Sequence, residues 1–194
     1  VLKFNMGCGR NHRSGYINVD SAAASQPDEV VDLEVTPWPW ADNCADEVSF
    51  IHSLEHLGGD PKVFLAIMSE LYRICAPGAH VTIHVPHPRH DFFLNDPTHV
   101  RPVTGQMLNL FDREANERWR VAGLSNTPLA VYTGVDFKVI DQRRLAAEPY
   151  ASQMRSGQLS LAEFDEFARS RNNVIEELQI TLLVRKPPAQ GAAT

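Results

Sequence analysis

The stretch Asn5–Asp20, NMGCGRNHRSGYINVD, constrains this chain more than any other. It reads as a strand end, a glycine turn, and a second strand that closes on an acid. Glycines after a strand permit a tight turn and let a ligand approach the backbone without a Cβ in the way. A carboxylate ending the next strand can accept hydrogen bonds from ribose hydroxyls. These features make half of a nucleotide-binding fingerprint. The third glycine of GxGxxG is absent, with Asn11 and His12 near its place. In a dinucleotide fold the acid follows the glycines by about 20 residues. The interval to Asp20 is much shorter and leaves no room for a full helix. An ordinary NAD site is therefore not expected, and Arg10–Ser14 is expected to cross between the strands as a loop.

The rest of the chain alternates strand and helix patterns. Strands are expected at Leu2–Met6, Tyr16–Asp20, Glu29–Val35 and Glu47–Ser53. A helix follows, with Asp60 as N-cap, Pro61 in the first helical position, and Phe64, Ile67, Leu71 and Ile74 on one face. Pro77 and Gly78 are expected to stop it. His80–Pro86 is a fifth strand and Pro86–Arg101 a long polar loop. Thr104–Ala115 reads as helix and Phe137–Leu145 as strand. Ser160 and Glu163 form a capping box for a helix that runs to Arg171, and Ile175–Lys186 is a closing strand. The rhythm predicts an α/β fold with a parallel sheet and helices packed on it. Residues 1–186 are expected to form one domain, with 187–194 a loose tail.

Composition narrows the function classes. The chain has 194 residues, which suits one domain with a full core. Its net charge of -6 repels phosphate backbones, so nucleic acid is not expected as a partner. No apolar run is long enough to span a bilayer, and no signal peptide is expected. The three cysteines, Cys8, Cys44 and Cys75, are far apart and unpaired in pattern. That fits free thiols in a reducing compartment, so a cytoplasmic location is expected.

Four further features bear on chemistry. Asp32 sits at the end of the third strand, in VVDLE, where its carboxylate could accept the exocyclic amine of adenine or simply face solvent. The Pro37–Trp40 aromatic knot is read as packing. HSLEHL (His52–Leu57) matches H-x-x-E-H, a zinc-protease pattern. A strand runs straight into His52 and Gly58-Gly59 follows, so a loop at the carboxyl edge of the sheet is the preferred reading. The stretch His84–Arg101 is rich in His and Asp. A substrate-binding loop with a histidine base is preferred there over a metal turret or a purely structural loop.

Taken together, these residues resemble a class I S-adenosylmethionine-dependent methyltransferase, from about Leu2 to Pro86 with a continuation to Lys186. GCG resembles the family's first motif and INVD its ribose-binding acid. DLEVTPWPWADNCADEVSFIHSLEHL and ELYRICAPGAHVTIHVP resemble its later motifs. The shortened GCG-to-NVD connection and the DPTHVR loop resemble a subgroup of small methyltransferases associated with surface-polysaccharide biosynthesis.

The resemblance implies a Rossmann-like, doubly wound, mostly parallel sheet with an antiparallel last strand. It implies S-adenosyl-L-methionine as cofactor, with Gly7, Cys8 and Gly9 against its methionine and ribose, and Asp20 on the ribose hydroxyls. Asp32 and Leu33 would contact adenine, and His52 and Ser53 would border the methionine end. For the acceptor, a small molecule or glycan, His87, His90, Asp96 and Arg101 are candidates. His99 and His56 are the candidate catalytic residues, with His99 as base and no metal assigned. The alternatives are a non-catalytic methyltransferase-like binding module and a metal-dependent hydrolase.

Overall fold

The computed structural model describes residues 2–187. The proposed loose tail at 187–194 lies outside them except for Pro187. Seven strands form one sheet in the order β3-β2-β1-β4-β5-β7-β6. They are β1 (Leu2–Met6), β2 (Ile17–Asp20), β3 (Glu29–Val30), β4 (Ala45–Ile51), β5 (Cys75–Pro86), β6 (Phe137–Ala146) and β7 (Ile175–Val184). β7 runs antiparallel between β5 and β6, whereas β1 through β5 pair in parallel. The chain winds outward from β1 through β2 to β3, then returns to the middle and winds the other way through β4 and β5. The order therefore reverses between β1 and β4, which is where open α/β sheets bind ligands.

The helices are α1 (Pro61–Ile74), α2 (Asp91–Leu94), α3 (Gly105–Leu108), α4 (Arg113–Val121), α5 (Leu129–Thr133), α6 (Tyr150–Arg155) and α7 (Leu161–Ser170). α1 begins as its sequence dictates, with the Asp60 side chain accepting from the Lys62 amide and Pro61 at the first position. Its face of Phe64, Ile67, Met68, Leu71 and Ile74 is buried. α7 opens on the Ser160–Glu163 capping box.

Several expected boundaries move. The third strand ends at Val30 rather than Val35, so Asp32 lies in the following loop. α1 stops at Ile74, before Pro77 and Gly78, and β5 begins at once with Cys75. The single helix expected over Thr104–Ala115 is broken. Asp112 accepts from the Ala115 amide and caps α4, which separates that helix from α3 and a 3-10 turn at Asn109–Phe111. The polar loop after β5 contains α2, and α5 and α6 were not foreseen.

Strand register sorts the residues of the sheet by face. Phe4, Val48 and Val81 sit side by side, as do Met6, Phe50 and Ile83. These residues are fully buried and form the core with α1. The opposite face carries Asn5, Asn18, Ser49, Thr82 and Thr181 in one row. As expected, no helix separates β1 from β2, and Arg10–Ser14 crosses as a loop. Asn5, only 2% exposed, anchors that loop. Its amide donates to the Asn11 carbonyl at 2.9 Å and to Asn18 Oδ1 at 3.0 Å. Hydrogen bonds here do the work that apolar helix packing does elsewhere.

The long connection from β3 to β4 has no helix either. Trp38 and Trp40 fill its place on the apolar face. The Trp40 ring lies 4.7 Å from that of Phe4, and Trp38 is buried. Arg73 of α1 fastens the segment, donating to the carbonyls of Trp38 at 3.0 Å and Trp40 at 2.7 Å. The packing role read for this knot is what the structure shows.

Candidate functional site

The turn after β1 is built around Gly7, whose φ of +66° favours glycine. A Cβ there would also lie 2.5 Å from Ser53 Cβ. Ser53 in turn donates from Oγ to the Met6 carbonyl at 2.7 Å, which ties the ends of β1 and β4 together. Gly9, at φ +50°, has nothing within 4 Å of the position a Cβ would take. It faces open space, and its amide donates to Asp20 Oδ2 at 2.8 Å. Asp20 Oδ1 accepts from the Ala22 amide at 2.8 Å. Gly7, Gly9, Asp20, His52, Ser53, His56 and Leu57 line a cleft of about 250 Å³.

A second cavity of about 260 Å³ adjoins it, lined by His52, Glu55, His56, Pro86, Phe92, His99, Glu176 and Glu177. His52 and His56 belong to both walls. His52 has a φ of +52°, a left-handed conformation that costs a non-glycine residue of order 1 kcal/mol. Its amide donates to the His84 carbonyl at 2.9 Å, and its Nε2 lies 2.8 Å from Glu177 Oε2. Glu55, 3.7 Å from Nδ1, and Glu177 hold the imidazole above its usual pKa against the opposing effect of burial.

The DPTHVR loop reaches this cavity through local turn chemistry. Asp96 Oδ1 accepts from the Thr98 amide at 2.8 Å and from Thr98 Oγ1 at 2.6 Å. The Glu55 carbonyl accepts from the amides of Val100 at 2.9 Å and Arg101 at 3.0 Å. These bonds dock the loop on the 3-10 turn Leu54–His56 and set the His99 ring 4.6 Å from that of His56.

The structure thus brings Gly7, Gly9, Asp20, His52, Ser53, His56 and His99 together. The other candidates do not line these two cavities. Cys8 lies within the turn, but its side chain is buried and donates to the Gly9 carbonyl. Asp32 receives the Glu34 amide, and Leu33 is buried with its carbonyl accepting from the Trp38 indole; neither lines the cleft. His90 caps α2 by accepting from the Phe92 amide and is itself buried. Arg101 lies over the Phe64 ring at 4.2 Å and donates to the Gly58 carbonyl, a structural role. Asp96 shapes its own turn. His87 lines a different cavity, with Arg89, Gln142 and Arg144. Burial and the Arg89 charge lower its pKa to about 4.

Sequence reasoning missed Glu55, Phe92, Glu176 and Glu177 as lining residues. Two adjacent acids near the start of β7 were a usable signal, because strands packed in a core rarely carry such a pair without a local task.

No protein-family model matches the chain, and no curated protein matches it in sequence. Solved structures do match it in shape. A SAM-dependent methyltransferase from Archaeoglobus fulgidus superimposes with a TM-score of 0.62 at 19% identity, covering 94% of this chain and 85% of that one. A SAM-dependent methyltransferase from Methanosarcina mazei gives 0.57 at 13% identity, covering 96% and 93%. The cyclase SpnF gives 0.53 at 14% identity, covering 96% and 76%. The chain therefore has the class I methyltransferase fold, a Rossmann-like mixed sheet with its last strand antiparallel.

Proposed function

We propose that the chain is an S-adenosylmethionine-dependent methyltransferase acting on a neutral, hydroxyl-bearing small molecule such as a sugar. The observation that carries this reading is the junction of two cavities at His52 and His56, one behind the glycine turn and one beyond it. Methyl transfer is an in-line displacement and needs two ligands held end to end. Two features of the cleft support the cofactor reading. Gly9 leaves its space open, and amides occupy two of the roughly four lone-pair sites on Asp20, so ribose hydroxyls still find acceptors there. Gly7, Gly9, Asp20, His52 and Ser53 would hold S-adenosyl-L-methionine. Bound there, it supplies an electrophilic methyl carbon on a sulfonium.

The protein's part is to hold the acceptor and take up its proton. His99 donates from Nδ1 to the Phe93 carbonyl at 3.0 Å, which leaves Nε2 as the basic nitrogen. His56 Nδ1 pairs with Thr98 Oγ1 at 2.9 Å in the same sense. Glu55, Glu176 and Glu177 make the acceptor cavity acidic, which disfavours phosphates and carboxylates and suits neutral hydroxyls. Among the described residues no helix is long and apolar enough to cross a membrane. Free thiols at Cys8, Cys44 and Cys75 support a reducing, cytoplasmic setting.

A binding module without catalysis is the second reading. It is favoured by the missing β1–β2 helix, whose N-terminal amides would otherwise face the ligand. Titration calorimetry with S-adenosylmethionine and its demethylated product separates the outcomes. Binding of both, with methyl transfer to a sugar panel, supports the enzyme. Binding without transfer to any acceptor supports the module, and no binding of either overturns the methyltransferase reading.

A further inference from the structure

Glu55 is a buried carboxylate, 1% exposed, without a hydrogen-bond partner among the described residues. An ionised carboxylate taken out of water is costly unless a cation or several donors face it. The nearest cationic group, His52 Nδ1, stands 3.7 Å away and its other nitrogen is engaged with Glu177. Two further donor atoms converge on Glu55. One ligand atom from each of Glu55, His56 and His99 lies within 4.8 Å of the others.

The surroundings of the two imidazoles set their tautomers. His99 Nδ1 faces the Phe93 carbonyl, which can only accept, so that nitrogen carries the proton. His56 Nδ1 faces Thr98 Oγ1, whose own hydrogen goes to Asp96 at 2.6 Å, so this nitrogen is a donor too. Both rings therefore keep a lone pair on Nε2. Metal-ligating histidines are held this way, with the second nitrogen fixed by a carbonyl, or by a hydroxyl and carboxylate relay. Asp96 Oδ2 lies 3.8 Å from His99 Nε2 and adds negative charge at the rim.

We infer that Glu55, His56 and His99 form a site for a divalent cation of the zinc class, with an open coordination position facing the acceptor cavity. Two imidazoles and one carboxylate suit zinc, cobalt or a similar ion better than magnesium or calcium, which prefer all-oxygen shells. Three protein ligands leave one tetrahedral position for an oxygen ligand. The inference deepens the reading of that cavity as the acceptor site and rests on it for the role of the open position. There the ion would lower the pKa of a bound acceptor hydroxyl, whose proton leaves to solvent while its oxygen takes the methyl group as the sulfonium C–S bond breaks; with the ion in place His56 and His99 act as ligands and not as the base. Metal binding itself does not depend on methyl transfer. The H-x-x-E-H stretch contributes its Glu and second His, while His52 turns away to Glu177.

The test uses the whole chain, stripped with a chelator and titrated with zinc chloride alone in a calorimeter. One ion per chain is expected, and cobalt(II) should give the strong visible absorption of a four-coordinate site. Glu55→Gln and His56→Gln should each weaken binding by about 100-fold or more, and Thr98→Val by about 10- to 100-fold. His56 is only partly buried, so its variant reports even where Glu55→Gln fails to fold. His12→Gln, on the surface, should bind as the parent does. No binding at millimolar zinc, unchanged affinity in His56→Gln, or loss in His12→Gln overturns the site. S-adenosylmethionine binding, measured separately, tells a failure of this inference from a failure of the methyltransferase reading.

Discussion

The amide of Gly9 donates to Oδ2 of Asp20 at 2.8 Å, so the acid that ends β2 is clamped to the glycine turn that follows β1. The clamp stands in for the helix that usually fixes these two strands relative to one another. Asp20 itself lines the cleft.

Replacing Asp20 should therefore weaken ligand binding and, through the lost bonds from the Gly9 and Ala22 amides, cost some stability as well. Asp20→Ala is expected to weaken S-adenosylmethionine binding by about 100-fold, the loss of two charge-assisted hydrogen bonds. Calorimetry checks this, with circular dichroism to confirm the fold. Unchanged affinity would remove Asp20 from the ribose role.

Gly7→Ala meets two obstacles at once, a left-handed φ and a neighbour at 2.5 Å. The contact is the Cβ of Ser53, close to its backbone, so it cannot simply swing away. A stability loss of about 2 kcal/mol or more is expected from chemical denaturation. Gly9→Ala, in open space, should lose less stability yet still impair cofactor binding. Equal stability losses in the two variants would contradict this account.

Arg73 should matter for stability alone. It joins the Trp38 and Trp40 carbonyls to Asp42 and Glu70, each ion pair at 2.8 Å. Arg73→Met is expected to cost about 2 kcal/mol, since it orphans carbonyls and a half-buried carboxylate. Its affinity for the cofactor should match the parent within error. A matching midpoint in urea would show that the knot is held by packing only.

His87 predicts a pH effect with a definite sign. Its folded pKa of about 4 lies below the ordinary value of 6.5, because burial and Arg89 disfavour the charged ring. The unfolded chain therefore binds a proton more readily, and stability falls as pH drops from about 6.5 towards 4. Below that window the loss levels off. In His87→Gln the decline between those values should be shallower, as thermal melts across the range would show. Parallel profiles would mean that His87 does not contribute.

Much of the fold was legible because short-range chemistry agreed with it. Asp60-Pro61 opened α1, and the Ser160–Glu163 box opened α7, at the residues expected. The glycine turn and Asp20 came together because both end neighbouring strands. The second cavity was less legible, since its candidate residues were drawn from a His-rich loop by type. Which ones reach the cavity depends on two amides of Val100 and Arg101 meeting the Glu55 carbonyl, a contact with no local signature. Asp112 broke a helix that apolar spacing alone would have continued. One overlooked signal was the strict alternation in VSF and VTIHV. Parallel strands covered on both faces read as unbroken apolar runs, so the alternation marked a sheet with one polar face.

That polar face has a consequence for how the chain can change length. Arg10–Ser14 is mostly exposed, and it is held to the sheet by side-chain bonds from Asn5 and Asn18 rather than by apolar packing. Extra residues inserted at its exposed positions would project into solvent without prying open the apolar side. The entropic cost of a longer loop grows only with the logarithm of its length. The short crossover is thus the place where this architecture can gain or shed a segment while its strands, its glycine turn and Asp20 stay where they are.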